Sequence, residues 1–131
     1  MEQVVTEVAL FINQNNIHPM SPDLSGIGIL DEHPISIACW TRRTIDNERM
    51  YHSFAISKPW KKGEPRVTLT KKNQKLYEFN KQNDEDPDFQ TPAAFELLGK
   101  QYWAALWVND AENPEDIEFR LRLLTRRLRQ S

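Results

Sequence analysis

Two stretches of this chain, 67 residues apart, read as diverged copies of one pattern. The first runs Leu10-Phe11-Ile12-Asn13, then Pro22-Asp23-Leu24, then Ile35-Ser36-Ile37-Ala38-Cys39-Trp40. The second runs Tyr77-Glu78-Phe79-Asn80, then Pro87-Asp88-Phe89, then Tyr102-Trp103-Ala104-Ala105-Leu106-Trp107. A shift of 67 places Asn13 on Asn80, Leu30 on Leu97, Ala38 on Ala105 and Trp40 on Trp107, and the Pro-Asp pair follows after a two-residue slip. A repeat of this kind constrains the fold more than any local pattern does. A unit of about 60 residues leaves its apolar face wet unless the other unit covers it.

Period-two alternation marks the strands within each unit. Ile35, Ile37, Cys39 and Thr41 fall on one side, with Ser36, Ala38, Trp40 and Arg42 on the other. Tyr102, Ala104, Leu106 and Val108 against Trp103, Ala105, Trp107 and Asn109 repeat the arrangement. Polar connections centred on Asp46-Asn47 and on residues 109–116 lead to further alternating runs. These are Met50, His52, Phe54, Ile56 and Ile117, Phe119, Leu121, Leu123, which is hairpin grammar. The β-branched run Val4 to Ile12 opens the first unit, as Lys75 to Phe79 opens the second.

The expected fold is therefore all-β. About eight strands form two pseudo-symmetric four-stranded units, closing on each other as a small sandwich or barrel. The units span about residues 4–57 and 66–125 of a single domain, joined by the Pro- and Lys-rich connector 57–65, and residues 66–70 lead in as an added strand. Trp40 and Trp107, at matching positions, are expected to fill the interior. Asn113-Pro114-Glu115-Asp116 resembles a helix start, yet the repeat favours a strand through about Leu124; residues 93–98 fit a helical turn or a short strand, ended by Gly99 in either reading, and residues 125–131 form a basic tail, frayed or in a short C-terminal helix.

At 131 residues and 39% apolar, the chain has enough material for one core without a disulfide, and its single cysteine, Cys39, lies in an apolar run. That usage fits a reducing compartment. The N-terminus lacks the basic start and apolar stretch of a signal peptide, and no apolar run reaches the length of a membrane span. A cytoplasmic protein with no membrane partner is expected.

The net charge of −2 conceals opposing blocks. Residues 1–57 carry 3 basic and 7 acidic groups, 58–82 carry 8 and 2, 83–118 carry 1 and 10, and 119–131 carry 5 and none. Local potential rather than total charge steers an anionic partner.

The string Leu76-Tyr77-Glu78-Phe79-Asn80-Lys81, with Asp86-Pro87-Asp88-Phe89 and Gly99-Lys100-Gln101-Tyr102-Trp103 running to Trp107-Val108, resembles a small all-β family of bacteriophage and plasmid proteins. In that family an Asn and a Lys precede a Pro-Asp-aromatic turn, and a Gly-x-x-Tyr-Trp strand ends in Trp before a basic hairpin. The resemblance covers residues 76–124 well and the first half through Pro22-Asp23-Leu24, Gly26 and the Trp40 strand. It implies an all-β fold and a mobile-element origin, and it carries no settled activity. In this chain the hairpin at 109–116 is acidic where the family tends to be basic.

Catalysis finds little support. His18, His33 and His52 sit at no metal-ligand spacing, Cys39 has no adjacent base, and no phosphate loop or nucleophile motif appears. Asp84, Glu85, Asp86 and Asp88 lack the alternation and glycine of a calcium loop, while Asp23 and Asp88 suit turn-makers whose carboxylates cap backbone N–H groups. No cofactor, metal or enzyme activity is expected.

Binding is the stronger expectation. Lys58, Lys61, Lys62, Arg66, Lys71, Lys72 and Lys75 are interleaved with Trp60 and Tyr77, and Arg42 and Arg43 follow Trp40. Cations that track phosphates and flat rings that stack on bases are what single-stranded DNA or RNA requires. The tail cations Arg120, Arg122, Arg126, Arg127 and Arg129 would extend the track. The competing expectation is a protein-binding accessory module acting through its acidic segment or an edge strand, and an edge strand also makes a homodimer reasonable.

Overall fold

The alternating runs resolve, in a computed structural model that describes residues 4–13, 20–46 and 48–128, into an antiparallel meander. Its strands are β1 (Val4–Ile12), β2 (Leu24–Leu30), β3 (His33–Arg43), β4 (Met50–Ser57), β5 (Gln74–Glu78), β6 (Phe89–Gln90), β7 (Phe95–Leu97), β8 (Lys100–Asn109) and β9 (Glu118–Leu124). Neighbours run β6-β5-β4-β3-β2-β1-β9-β8, and β6 pairs in turn with β8, so eight strands close a barrel. β7 is the extra strand. It continues the edge begun by β6, pairing with the first half of β8 as β6 pairs with the second.

Closure settles the choice between sandwich and barrel, and it decides which side of each strand is inside. Ile35, Ile37, Phe54, Ile56, Leu106, Leu121 and Leu123 are completely buried in one core, with Phe54 set edge-on to Phe95 at 5.7 Å. Trp40 and Trp107 lie on the outer side, contrary to the expectation that they fill the interior. Ile35, Ile37 and Cys39 on β3 and Tyr102, Ala104 and Leu106 on β8 hold the inner side, and successive side chains of a strand face opposite ways.

The barrel needs tight corners. β1 passes so close over β2 that a Cβ on Gly26 would stand 2.2 Å from the Ala9 carbonyl oxygen, and one on Gly28 2.5 Å from a Val8 methyl. The β2–β3 and β7–β8 hairpins each turn on two residues of positive φ: Asp31 and Glu32 at 47° and 68°, Leu98 and Gly99 at 51° and 79°. Two such residues make the hairpin turn whose twist matches the strands it joins. The two turns meet at one end of the barrel, where Lys100 Nζ lies 3.2 Å from Asp31 Oδ2.

Four local readings are decided by the structure. Residues 95–97 are strand rather than helical turn, because the ladder to β8 outweighs local propensity. Residues 66–70 add a single bridge, Thr68 to Ser57, instead of a full strand. Only Pro114–Asp116 forms a helical turn, of 3-10 type, among the described residues. No C-terminal helix follows β9 over residues 125–128, since the Leu128 N–H is taken by Gln90 Oε1 at 2.8 Å; residues 129–131 lie outside the described residues.

The up-and-down path separates charge. Residues 58–73, carrying Lys58, Lys61, Lys62, Arg66, Lys71 and Lys72, lie at the end where the two tight turns meet, together with Arg126 and Arg127. The connections at the opposite end carry Asp84, Glu85, Asp86, Asp110, Glu112, Glu115 and Asp116. No helix among the described residues is long and apolar enough to cross a membrane.

Candidate nucleic-acid interface

The outer face of β3, β4 and β5 brings most of the expected binding residues together. Register sets Arg42 beside Tyr51 and Tyr51 beside Tyr77 in one row, and Trp40 beside Ser53 and Ser53 beside Lys75 in the next. Nearer the basic end Ala38 faces Ala55, and Ser36 faces Ser57. These small side chains form the floor of an open groove of about 520 Å³. Trp40 and Met20 supply one part of its wall, and Trp60, Lys58 and Arg66 another. No acidic side chain lines the groove among the described residues.

Each wall is held by identifiable bonds. Trp60, 52% exposed, donates its indole N–H to the Glu64 carbonyl at 2.9 Å, while the Arg66 guanidinium lies 5.0 Å from its ring centroid. The loop that presents Trp60 is closed at its base by the Lys58 N–H to Val67 carbonyl bond of 2.9 Å and tied to β4 by the Leu69 N–H to Ile56 carbonyl bond of 2.8 Å. Trp40 donates to the Met20 carbonyl at 2.9 Å, and the next residue, Thr41, gives its backbone N–H to Asp23 Oδ2 at 2.8 Å. Asp23 thus caps a backbone N–H, as its place after proline suggested, but does so across strands.

A second cleft of about 530 Å³ adjoins this face; Arg43, Tyr51, Lys75 and Tyr77 line it together with the 44–46 turn, whose Asp46 is the one acid in the lining among the described residues. The tyrosine rings stand 5.6 Å apart, with the Lys75 ammonium 5.7 Å from the Tyr51 centroid. Lys61 and Lys62 sit in an exposed turn closed by the Glu64 N–H to Lys61 carbonyl bond of 3.0 Å. Lys72 is exposed, and Lys71 reaches Glu96 on β7 at 3.6 Å.

The tail cations do not extend this track. β8 lies four strands from β3 in either direction around the barrel, so its outer face is the opposite wall. Arg127 lies 5.8 Å from the Trp103 ring and Arg122 4.5 Å from the Trp107 ring on that wall, while Arg120 pairs with Glu7 at 3.0 Å. The tail shares an end with the lysine loop but not a face. Arg129 lies outside the described residues.

Sequence reasoning missed Tyr51 and the groove floor. The outward set on β4, Tyr51, Ser53, Ala55 and Ser57, was the available signal, because small residues along a strand face permit close approach. Burial pushes the Cys39 thiol up to about 12, with the Asp23 carboxylate adding to the effect, so it is no nucleophile near neutral pH. No group of three His, Cys, Asp or Glu side chains is placed to hold a metal ion among the described residues. The fold and this face define a small antiparallel barrel with an aromatic and cationic outer groove. No family model matches the chain, and comparison with curated proteins and with solved structures gives no significant match.

Proposed function

We propose that this protein binds single-stranded nucleic acid on the outer face of β3–β5, as an accessory protein of a phage or other mobile element. The observation that carries the reading is the groove between Trp40 and Trp60, with its floor of serine and alanine, its flanking Lys58 and Arg66, and no acid in its lining. Flat rings offer stacking worth about 1–3 kcal/mol per base, and the cations follow the backbone. The Tyr51–Tyr77 pair with Lys75 and Arg43 supplies a second stacking position along the same strands. The mobile-element origin rests on the Pro-Asp-aromatic and Gly-x-x-Tyr-Trp patterns, and we read the matching halves as a tandem duplication.

Tryptophan fluorescence on titration with short single-stranded DNA and RNA at two salt concentrations tests this. Four engaged cations predict a slope of log K on log salt of about −3. Trp60→Ala and the Lys58→Ala/Arg66→Ala double variant should each weaken binding at least tenfold, equivalent to about 1.4 kcal/mol. Saturable binding untouched by both changes, or no quenching at low salt, would sink the proposal.

A second reading, docking on a basic protein, is supported by the acidic end of the barrel, where the connections that carry Asp84, Glu85, Asp110 and Glu112 both lie. The edge-strand route to a protein partner or homodimer is narrower. Closure leaves three-residue β7 as the strand with a single partner among the described residues.

A further inference from the structure

The interior packs tightly through its middle and at the basic end, where Leu30 and Leu97 are fully buried below the two tight turns. At the acidic end it opens into a cavity of about 370 Å³. That volume lies within the range of small-molecule sites. Two cross-strand pairs face each other in it: Thr41 with His52, and Val108 with Phe119. They occupy matching places in the two halves, and only the first pair is polar.

Met50, Phe89 and Phe119 supply apolar wall. The His52 ring, 4% exposed, stands edge-on to Phe89 at 4.5 Å, with Nδ1 3.3 Å from Thr41 Oγ1. The charged groups in the lining are Asp88 and Asp110, and no cation lines the cavity among the described residues. Asp88 is partly compensated, because Oδ1 lies 3.2 Å from Lys81 Nζ and Oδ2 accepts the Val108 N–H at 2.7 Å. Asp110 is exposed and makes no ion pair among the described residues.

We propose that this mouth binds a small organic cation with a flat apolar body, inserting the body between Phe89 and Phe119 and leaving the cation at Asp110. Ring faces and carboxylates attract a cation together, and the acidic loops around the mouth add a field of the same sign. Burial lowers the pKa of His52, so the imidazole stays neutral at pH 7 and does not repel such a ligand.

The test uses three probes of one shape on the full chain: tryptamine, indole and indole-3-acetate, followed by two-dimensional NMR. Tryptamine should bind saturably, shift His52 and Phe119, and exceed indole-3-acetate in affinity by at least about tenfold. Asp110→Asn, at an exposed position, should leave the spectrum folded and narrow that gap several-fold. An excess of single-stranded oligonucleotide should not displace the probe, which keeps this site separable from the groove. Equal affinity for the cation and the anion, shifts confined to Trp40 and Trp60, an unchanged gap in Asp110→Asn, or no saturation would each overturn the proposal.

Discussion

The outer walls at β3–β4 and at β8–β9 occupy matching places on opposite sides of the barrel, and they are covered differently. Both carry the same latch. Trp40 and Trp107 each donate an indole N–H to the carbonyl two residues before a proline, at Met20 and Glu85, and both bonds are 2.9 Å. The following backbone N–H, of Thr41 or Val108, goes to Asp23 or Asp88. Beyond the latch the walls part. On the second, Trp103 and Leu124 stand where the first has Ser36 and Ser57, and Leu128 folds back to form a closed cluster with Phe79, Ala105 and Leu124. On the first the smaller side chains leave a groove. A change in size at two positions decides whether a wall is covered by its own chain or left open.

Truncating Leu128 should give the largest response. With 4% exposure it is core in all but position, so Leu128→Ala is expected to cost about 2–4 kcal/mol in urea unfolding, whereas Trp60→Ala should cost under about 1. A small loss at Leu128 would mean that the second wall is not closed by the tail. Next come the latches. Asp88→Ala strips the acceptor from a partly buried N–H and should lose about 1–3 kcal/mol, and Asp23→Ala, serving an exposed one, should fall at the lower end of that range. The reverse order would show that the halves do not share load as their geometry implies.

Acidity separates the matching pair His52 and Phe119. Desolvation depresses the folded-state pKa of His52, against a smaller opposing pull from Asp23. The unfolded chain therefore binds the proton first. Stability should be full above the ordinary histidine value of about 6.5 and decline as pH falls from there through the lower folded-state value. In His52→Phe this part of the decline should disappear from urea melts at pH 7.5 and 5.5, and persistence of the whole decline would assign it to carboxylates instead. The smallest thermodynamic effect belongs to Ser57→Leu, which copies Leu124 onto the open wall. Its stability should change by less than about 1 kcal/mol while oligonucleotide binding is lost.

Strand positions were legible because alternation at period two survives in the sequences of β3, β4, β8 and β9, while β1 was marked by its β-branched content. The inner side was not. On β3 both Ile35-Ile37-Cys39 and Ala38-Trp40 are apolar, and only closure of the barrel tells them apart. Residues 93–98 left helical turn and strand both open, since their composition suits a helix while the tight turn at Leu98 and Gly99 lets 95–97 pair with the start of β8. The cations and Trp60 were visible as a run in a loop, whereas the groove floor of Ser36, Ala38, Ala55 and Ser57 has no conspicuous residue to announce it. The arginine tail falls on the far wall because four strand steps separate β8 from β3 around the barrel, a distance with no trace in local sequence.

The separation of lysine-bearing and aspartate-bearing connections gives the molecule a permanent electric moment along its axis. In the field of a polyanion the barrel experiences a torque before contact and turns its lysine loop forward. Encounters are thereby oriented as well as accelerated at low salt. Ions at physiological strength, screening over about 8 Å, confine that alignment to the last step of approach.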